Sequence, residues 1–323
     1  MTDAPLVLAV PSKGRLQENA TAFFGRAGLK FVKSRGERDY RGTIAGVAGA
    51  EVAFLSASEI VSQLAAGAVH LGITGEDLVR EQVADADAAV EMLTTLGFGH
   101  ANVVVAVPQA WIDVRTMADL DDVASTMRIR QGRKLRVATK YVNLTRRYFA
   151  SHGLADYRIV ESLGATEGAP AAGTAEIVVD ITTTGATLSA NALKILDDGV
   201  MLASEANLVA SVRAPWGERA KAAANAILSR IAAEEEARSV REIRARLDAG
   251  SDTLGDLGSL FGARLPFGAT APGAVATIHC PEKAVFSLVD HLAKAGADDI
   301  TVSAPAYIFR TANPLIERLQ ARI

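Results

Sequence analysis

Ile177, Val178 and Val179 form a short apolar, β-branched run that Asp180 closes at once. Apolar on both faces, such a run suits a central strand of a parallel sheet buried under helices. Parallel strands cannot be joined by tight turns, so the rest of the chain must supply crossovers, mostly helical. It does. Short apolar runs at 6–10, 52–55, 68–73, 101–107, 135–138 and 157–160 read as strands. A helix is expected over 56–66, closed by Gly67, and another after 187, with Leu188, Ala192, Ile195 and Leu196 on one face. Strands alternating with helices from residue 6 to 198 define an α/β architecture.

The residues that follow the strands carry the chemistry. After Asp180 come Ile181, Thr182, Thr183, Thr184, Gly185, Ala186 and Thr187. A strand, a hydroxyl-rich turn with a glycine and a helix N-terminus make an anion site from backbone N–H groups, the helix dipole and neutral hydroxyl donors. Asp180 would repel phosphate but can accept hydrogen bonds from sugar hydroxyls, so a phosphorylated ribose suits both halves. The ordinary alternative is a βα turn whose threonines merely cap a helix. The turn lacks the Gly-Lys-Ser/Thr ending of a Walker loop, and its single glycine is not the dinucleotide fingerprint. Lys13 and Arg15 follow the first strand, Thr74 and Glu76 lie in Gly72-Ile-Thr-Gly-Glu-Asp77, and Lys140 follows the strand at 135–138. Glu167 lies in a Gly/Ala-rich loop leading back to Asp180. Strand ends are where open α/β sheets bind ligands. Their distribution suggests two lobes, one with Lys13, Arg15, Thr74 and Glu76, the other with Lys140, Glu167, Asp180 and the threonine turn. Taken singly, the two basic residues could be solvated loop residues and Glu76 an ordinary helix-dipole partner.

Composition narrows the class of partner. Across 323 residues, 49% are hydrophobic and 22% charged, with a formal net charge of −3, which argues against a broad nucleic-acid-binding face. The single Cys280 leaves no intramolecular disulfide or cysteine-based zinc site, and fits a reducing compartment. No apolar stretch is long enough to span a bilayer and no secretory signal opens the chain, so a cytoplasmic address is expected. The five histidines show no ligand-like spacing. Beyond Gly217 the character changes. Residues 218–247, rich in Ala, Glu and Arg, read as one long helix; 249–273 read as a loop; and 275–279, 282–294 and 300–302 read as strand, helix and strand.

Pro11-Ser-Lys-Gly-Arg-Leu16, Gly72-Ile-Thr-Gly-Glu-Asp77, Arg136-Val-Ala-Thr-Lys-Tyr141 and Asp180-Ile-Thr-Thr-Thr-Gly-Ala-Thr-Leu188 together resemble the ATP phosphoribosyltransferase family, in its long form. The resemblance implies a two-lobed core like the type II periplasmic solute-binding proteins. Lobe I would comprise 1–98 and 199–216 and lobe II 99–198. A small C-terminal ferredoxin- or ACT-like α/β regulatory domain would occupy 217–323. It implies displacement of pyrophosphate from phosphoribosyl pyrophosphate by N1 of ATP, with Mg²⁺ on the diphosphate and no covalent nucleophile. Thr182, Thr183, Thr184, Gly185, Ala186 and Thr187 would hold the 5-phosphate, and Asp180 and Glu167 the ribose hydroxyls. Lys13, Arg15, Thr74, Glu76 and Lys140 would meet ATP or the diphosphate. L-histidine is the implied inhibitor, and a dimer or hexamer the implied assembly. The main rival reading is a solute-binding module of the same fold without chemistry; the second is a different nucleotide-dependent transferase, since threonine-rich phosphate turns recur across phosphoribosyltransferases.

Overall fold

The computed structural model describes residues 4–33, 40–162, 164–246, 256–268, 270–271 and 273–323. The chain divides into two units, Met1–Phe23, Phe31–Lys221 and Leu319–Ile323 forming one, Phe24–Lys30 and Ala222–Arg318 the other.

In the first unit, β1 (Leu6–Pro11) runs parallel to β4 (Ala50–Leu55) on one side and β5 (Leu71–Gly75) on the other. With β2 (Phe31–Lys33), β3 (Arg41–Ile44), β6 (Val90–Thr95) and β12 (Ala206–Ser211) they make a seven-stranded sheet, β2-β3-β4-β1-β5-β12-β6. This is lobe I. Helix α1 (Gly14–Arg26) leaves β1. Helix α2 (Ala57–Ala66) starts in a reciprocal capping box between Ser56 and Glu59, and Gly67 ends it at φ 74°, as its flanking residues predict. Next come α3 (Glu76–Gln82) and α4 (Ala86–Ala89).

Lobe II is a five-stranded sheet, β11-β7-β10-β8-β9. It is built from β7 (Ala101–Pro108), β8 (Leu135–Thr139), β9 (Tyr157–Glu161), β10 (Ile177–Thr182) and β11 (Leu193–Ser204), with α5 (Met117–Gln131), α6 (Val142–Ser151) and α7 (Ala186–Ala190). Val178 sits between Ala106 and Ala138, so β10 is the covered central strand its composition requires. Two adjacent segments link the lobes: Leu96 donates its amide to Ala206, which donates its own to Phe98.

Several expectations need correction. The chain re-enters lobe I at Glu205 rather than at 199, because Val200 to Ser204 still pair with β7. The helix after the threonine turn stops at Ala190; Ala192 takes φ 56° and Ile195 and Leu196 belong to β11. Leu196 is buried there in the lobe II core.

The second unit holds most of α8 (Glu218–Ser239), β13 (Val240–Arg246), α9 (Leu257–Phe261), β14 (Val275–Pro281), α10 (Val285–Lys294), β15 (Asp298–Ser303) and α11 (Pro314–Gln320). The long helix expected to reach 247 ends at Ser239 and becomes β13, the central strand of the order β14-β13-β15. It is antiparallel to both neighbours, which makes β14–α10–β15 a split βαβ unit. Ile243, Ala245, Ile278, Cys280, Leu288 and Leu292 are in its core. Part of the loop expected over 249–273 lies outside the described residues.

Candidate active site

The central strand β10 carries Asp180 to its carboxyl end, where the chain turns through Thr182 to Gly185 into α7. Gly185 has φ 75°, a conformation glycine adopts without strain. Thr182 Oγ1 accepts the Gly185 amide at 2.9 Å, and the Thr183 hydroxyl donates to His100 O at 3.2 Å. The Ala186 amide that opens α7 is accepted by Thr184 Oγ1 at 3.4 Å, one of the first-turn amides that no helical carbonyl can satisfy. A cavity of about 440 Å³ opens over the turn, lined by Glu167, Asp180, Thr182, Thr183, Thr184 and Thr187 together with Ala101, Ile181 and Leu188. Gly185 and Ala186 belong to the same turn without lining the cavity.

Asp180 is half-buried, and burial pushes its pKa above the ordinary value; the Ile181 amide and the Lys140 charge oppose this, and Glu167 adds to it. The Ile181 amide donates to Asp180 Oδ1 at 2.8 Å. Lys140, at the end of β8, is exposed, with its Nζ 5.0 Å from the Tyr141 ring centre. The cavity thus joins two carboxylates to a hydroxyl-lined turn, with an ammonium group acting on Asp180. Glu76 departs from the simple picture of a free acid: it accepts from Arg80 Nε at 3.2 Å, four residues on along α3.

Lys13 and Arg15 are exposed at the carboxyl end of β1. Because β1 and β5 are parallel neighbours, these residues and Glu76 share one edge of the lobe I sheet. None of them lines the cavity over the threonine turn. Thr74 is fully buried and gives its hydroxyl to Ala57 O at 3.3 Å, so its side chain is not presented to a ligand. The two glycines beside it also have internal reasons. A Cβ on Gly72 would come within 2.7 Å of Ile60 on α2, and one on Gly75 would overlap the Asp77 carboxylate. That folded-back carboxylate, bonded to Tyr141 and Ser204, was not legible as a feature of its own. The crowding at Gly75 is its only local sign.

The histidines are not gathered into a ligand set. His70 is buried edge-on to Trp216, accepts the Val7 amide at Nδ1 and faces Pro215 O through Nε2; burial lowers its pKa. It is a packed structural residue.

The fold and the turn define a class: a two-lobed α/β protein with a cavity over a hydroxyl-rich turn at the carboxyl end of a central strand. Comparison with known proteins makes this specific. The family described as HisG, ATP phosphoribosyltransferase, matches residues 56–233. The chain is 60% identical over 319 residues to the ATP phosphoribosyltransferase of Afipia carboxidovorans, covering 98% of each chain. It is 60% identical over 317 residues to that of Nitrobacter winogradskyi, covering 98% of this chain and 97% of the relative. Among solved structures, an ATP phosphoribosyl transferase (HisG:HisZ) complex from Thermotoga maritima superposes with a TM-score of 0.54 at 24% identity, over 70% of this chain and 95% of that one. That likeness concerns the fold. The chain belongs to the ATP phosphoribosyltransferase family. It is a transferase of the first step of histidine biosynthesis, moving the phosphoribosyl group of phosphoribosyl pyrophosphate to ATP.

Proposed function

We propose that lobe II binds phosphoribosyl pyrophosphate through the cavity over the threonine turn. Thr182, Thr183, Thr184, Gly185, Ala186 and Thr187 hold its 5-phosphate, and Asp180 and Glu167 accept its ribose hydroxyls. The observation that carries this reading is the cavity itself, where both carboxylates and the hydroxyl-lined turn face one space. In the same reading Lys13, Arg15, Glu76 and Lys140 serve ATP or the leaving diphosphate, Thr74 contributing only through its place in the β5 turn. As the C1–oxygen bond to pyrophosphate breaks, positive charge develops at C1 and negative charge on the diphosphate. The 5-phosphate anchor orients C1 from a distance, while Lys and Arg side chains stabilise the departing charge. No side-chain nucleophile is needed; N1 of ATP attacks.

Mg²⁺ fits this donor set as an ion held chiefly by the substrate. Among the described residues no group of three or more His, Cys, Asp or Glu could cage a metal, and magnesium commonly takes one or two carboxylates plus substrate phosphates. Asp180 and Glu167 would be those carboxylates, and the ion would supply charge neutralisation on the diphosphate. We extend the reading to residues 217–323 as a regulatory domain that binds L-histidine, supported by the split βαβ unit. We extend it also to a dimeric or hexameric assembly. The buried, unpaired Cys280 accords with a cytoplasmic setting; among the described residues no helix is long and apolar enough to cross a membrane.

A pyrophosphate-release assay with ATP, phosphoribosyl pyrophosphate and Mg²⁺, run with pyrophosphatase and with or without L-histidine, tests the regulatory extension. Turnover suppressed by histidine is expected. Turnover indifferent to histidine would remove that role from the C-terminal region.

A further inference from the structure

Asp77, Tyr141 and Ser204 come from three separate stretches and meet at the junction of the two lobes. Asp77 is in the first turn of α3 in lobe I. Tyr141 immediately precedes α6 in lobe II. Ser204 ends β11, one residue before the chain crosses back at Glu205. The Tyr141 hydroxyl donates to Asp77 Oδ2 at 2.8 Å and the Ser204 hydroxyl to Asp77 Oδ1 at 3.0 Å. Ser204 Oγ in turn accepts the Asp77 amide at 3.0 Å. Asp77 is only 7% exposed and Tyr141 only 1%. A buried carboxylate is expensive unless fully bonded, and these donors are neutral, so the arrangement is not an ordinary ion pair. Burial, and then the charge of Asp77, push the Tyr141 hydroxyl far above its usual range. It therefore remains a donor at any working pH, in a charge-assisted bond.

A second set of contacts runs alongside. Tyr141, at the N-cap position of α6, makes no side-chain cap. Glu81 of α3 does the capping from the other lobe: its carboxylate accepts the Asn143 amide at 2.9 Å and the Leu144 amide at 2.8 Å. Its backbone carbonyl accepts Asn143 Nδ2 at 2.9 Å, and Arg147 donates to Arg80 O. The same tyrosine ring lies 5.0 Å from Lys140 Nζ, and Lys140 and Asp180 directly follow Thr139 and Val179, which pair across the neighbouring strands β8 and β10. Tyr141 therefore joins the lobe junction to the strand end that carries Lys140.

We propose that Asp77, Tyr141 and Ser204 form a hinge lock that fixes lobe II against lobe I and, through Tyr141, positions Lys140 beside Asp180. They are positioning residues for a reaction that must bring groups on two lobes together. The inference rests on the placement of phosphoribosyl pyrophosphate in lobe II made above. Loosening the lock should leave that ligand's pocket whole while spoiling its alignment with ATP.

Tyr141→Phe is the direct test, because it removes only the hydroxyl and keeps the ring beside Lys140. The expected result is a kcat reduced at least tenfold. The dissociation constant for phosphoribosyl pyrophosphate with Mg²⁺, measured by calorimetric titration, should stay within twofold of the parent. Hydrogen exchange at the Asn143 and Leu144 amides should accelerate. Ser204→Ala, a milder change that spares the packing, should shift kcat in the same direction by less, and serves if the Phe variant folds poorly. An unchanged kcat with unchanged exchange overturns the lock. So does a dissociation constant weakened by the same factor as kcat, which would make Tyr141 part of the ligand pocket. If the parent enzyme fails to bind phosphoribosyl pyrophosphate in lobe II, the site assignment fails instead, and the exchange rates still judge the lock.

Discussion

Asp180 is held above the ordinary carboxylate range, first by burial and further by the negative charge of Glu167. A folded-state pKa above the unfolded one means the ionised group opposes folding, with the stability it permits complete at low pH and lost as pH rises through the folded value. Asp180→Asn is therefore expected to leave the melting temperature of the unliganded protein at neutral pH equal or higher. The same change should lower kcat/KM for phosphoribosyl pyrophosphate about 10- to 100-fold, through loss of roughly 1.5–3 kcal/mol of charge-assisted hydrogen bonding. In the parent, kcat/KM should fall as pH drops through the raised Asp180 pKa, and this limb should vanish in Asp180→Asn; calorimetry and a pH–rate profile check both. At this scale the sequence was informative where chemistry depends on residue type. Asp180 and the threonines were placed by the buried strand and the turn after it, and the structure brings them and Glu167 onto one cavity. Thr74 misled, since an inward-facing hydroxyl bonded to Ala57 O reads the same in sequence as one facing a ligand.

The strand β10 that presents Asp180 is pinned at its start. Glu176 accepts the Arg136 amide at 2.7 Å, Arg136 Nη2 at 2.6 Å and Arg133 Nη1 at 2.7 Å. Burial works to raise its pKa, but the bonds from Arg136 and Arg133 outweigh it and lower the value from 4.5 to about 2. Here the folded pKa is depressed, so the contribution is present above the unfolded value and lost as pH falls through the folded one. Glu176→Gln should destabilise the protein by about 1.5–3 kcal/mol at neutral pH. The deficit should shrink as pH falls from 4.5 towards 2, which urea unfolding across that range would show. Elements with local punctuation, such as α2 between Ser56 and Gly67, could be read from sequence. β13 could not. Arg241, Glu242, Arg244 and Arg246 favour a continued helix, no Gly or Pro separates them from α8, and only Ile243 and Ala245 alternate inward. Pairing with β14 on one edge and β15 on the other overrides that propensity. Similarly β12, fully buried between β5 and β6, hides behind Asn207 and Ser211.

For the whole molecule, the two-lobed core was legible because strand ends in two groups carried different chemistry, while the crossings between the lobes were not. They depend on long-range pairing of β11 and β12 with strands about a hundred residues earlier. The central claim is that catalysis is organised on lobe II by the turn after β10, with groups of lobe I completing the site. Steady-state pyrophosphate release comparing Thr184→Val with the parent tests it most directly. Thr184 is exposed on the cavity wall and its one hydrogen bond, from the Ala186 amide, is long at 3.4 Å, so the substitution should lower the melting temperature by a few degrees at most. The expected result is a 10- to 100-fold lower kcat/KM for phosphoribosyl pyrophosphate, the equivalent of one lost hydrogen bond to a charged group, about 1.5–3 kcal/mol, with KM for ATP little altered. An unchanged kcat/KM for phosphoribosyl pyrophosphate would contradict it and place the 5-phosphate elsewhere.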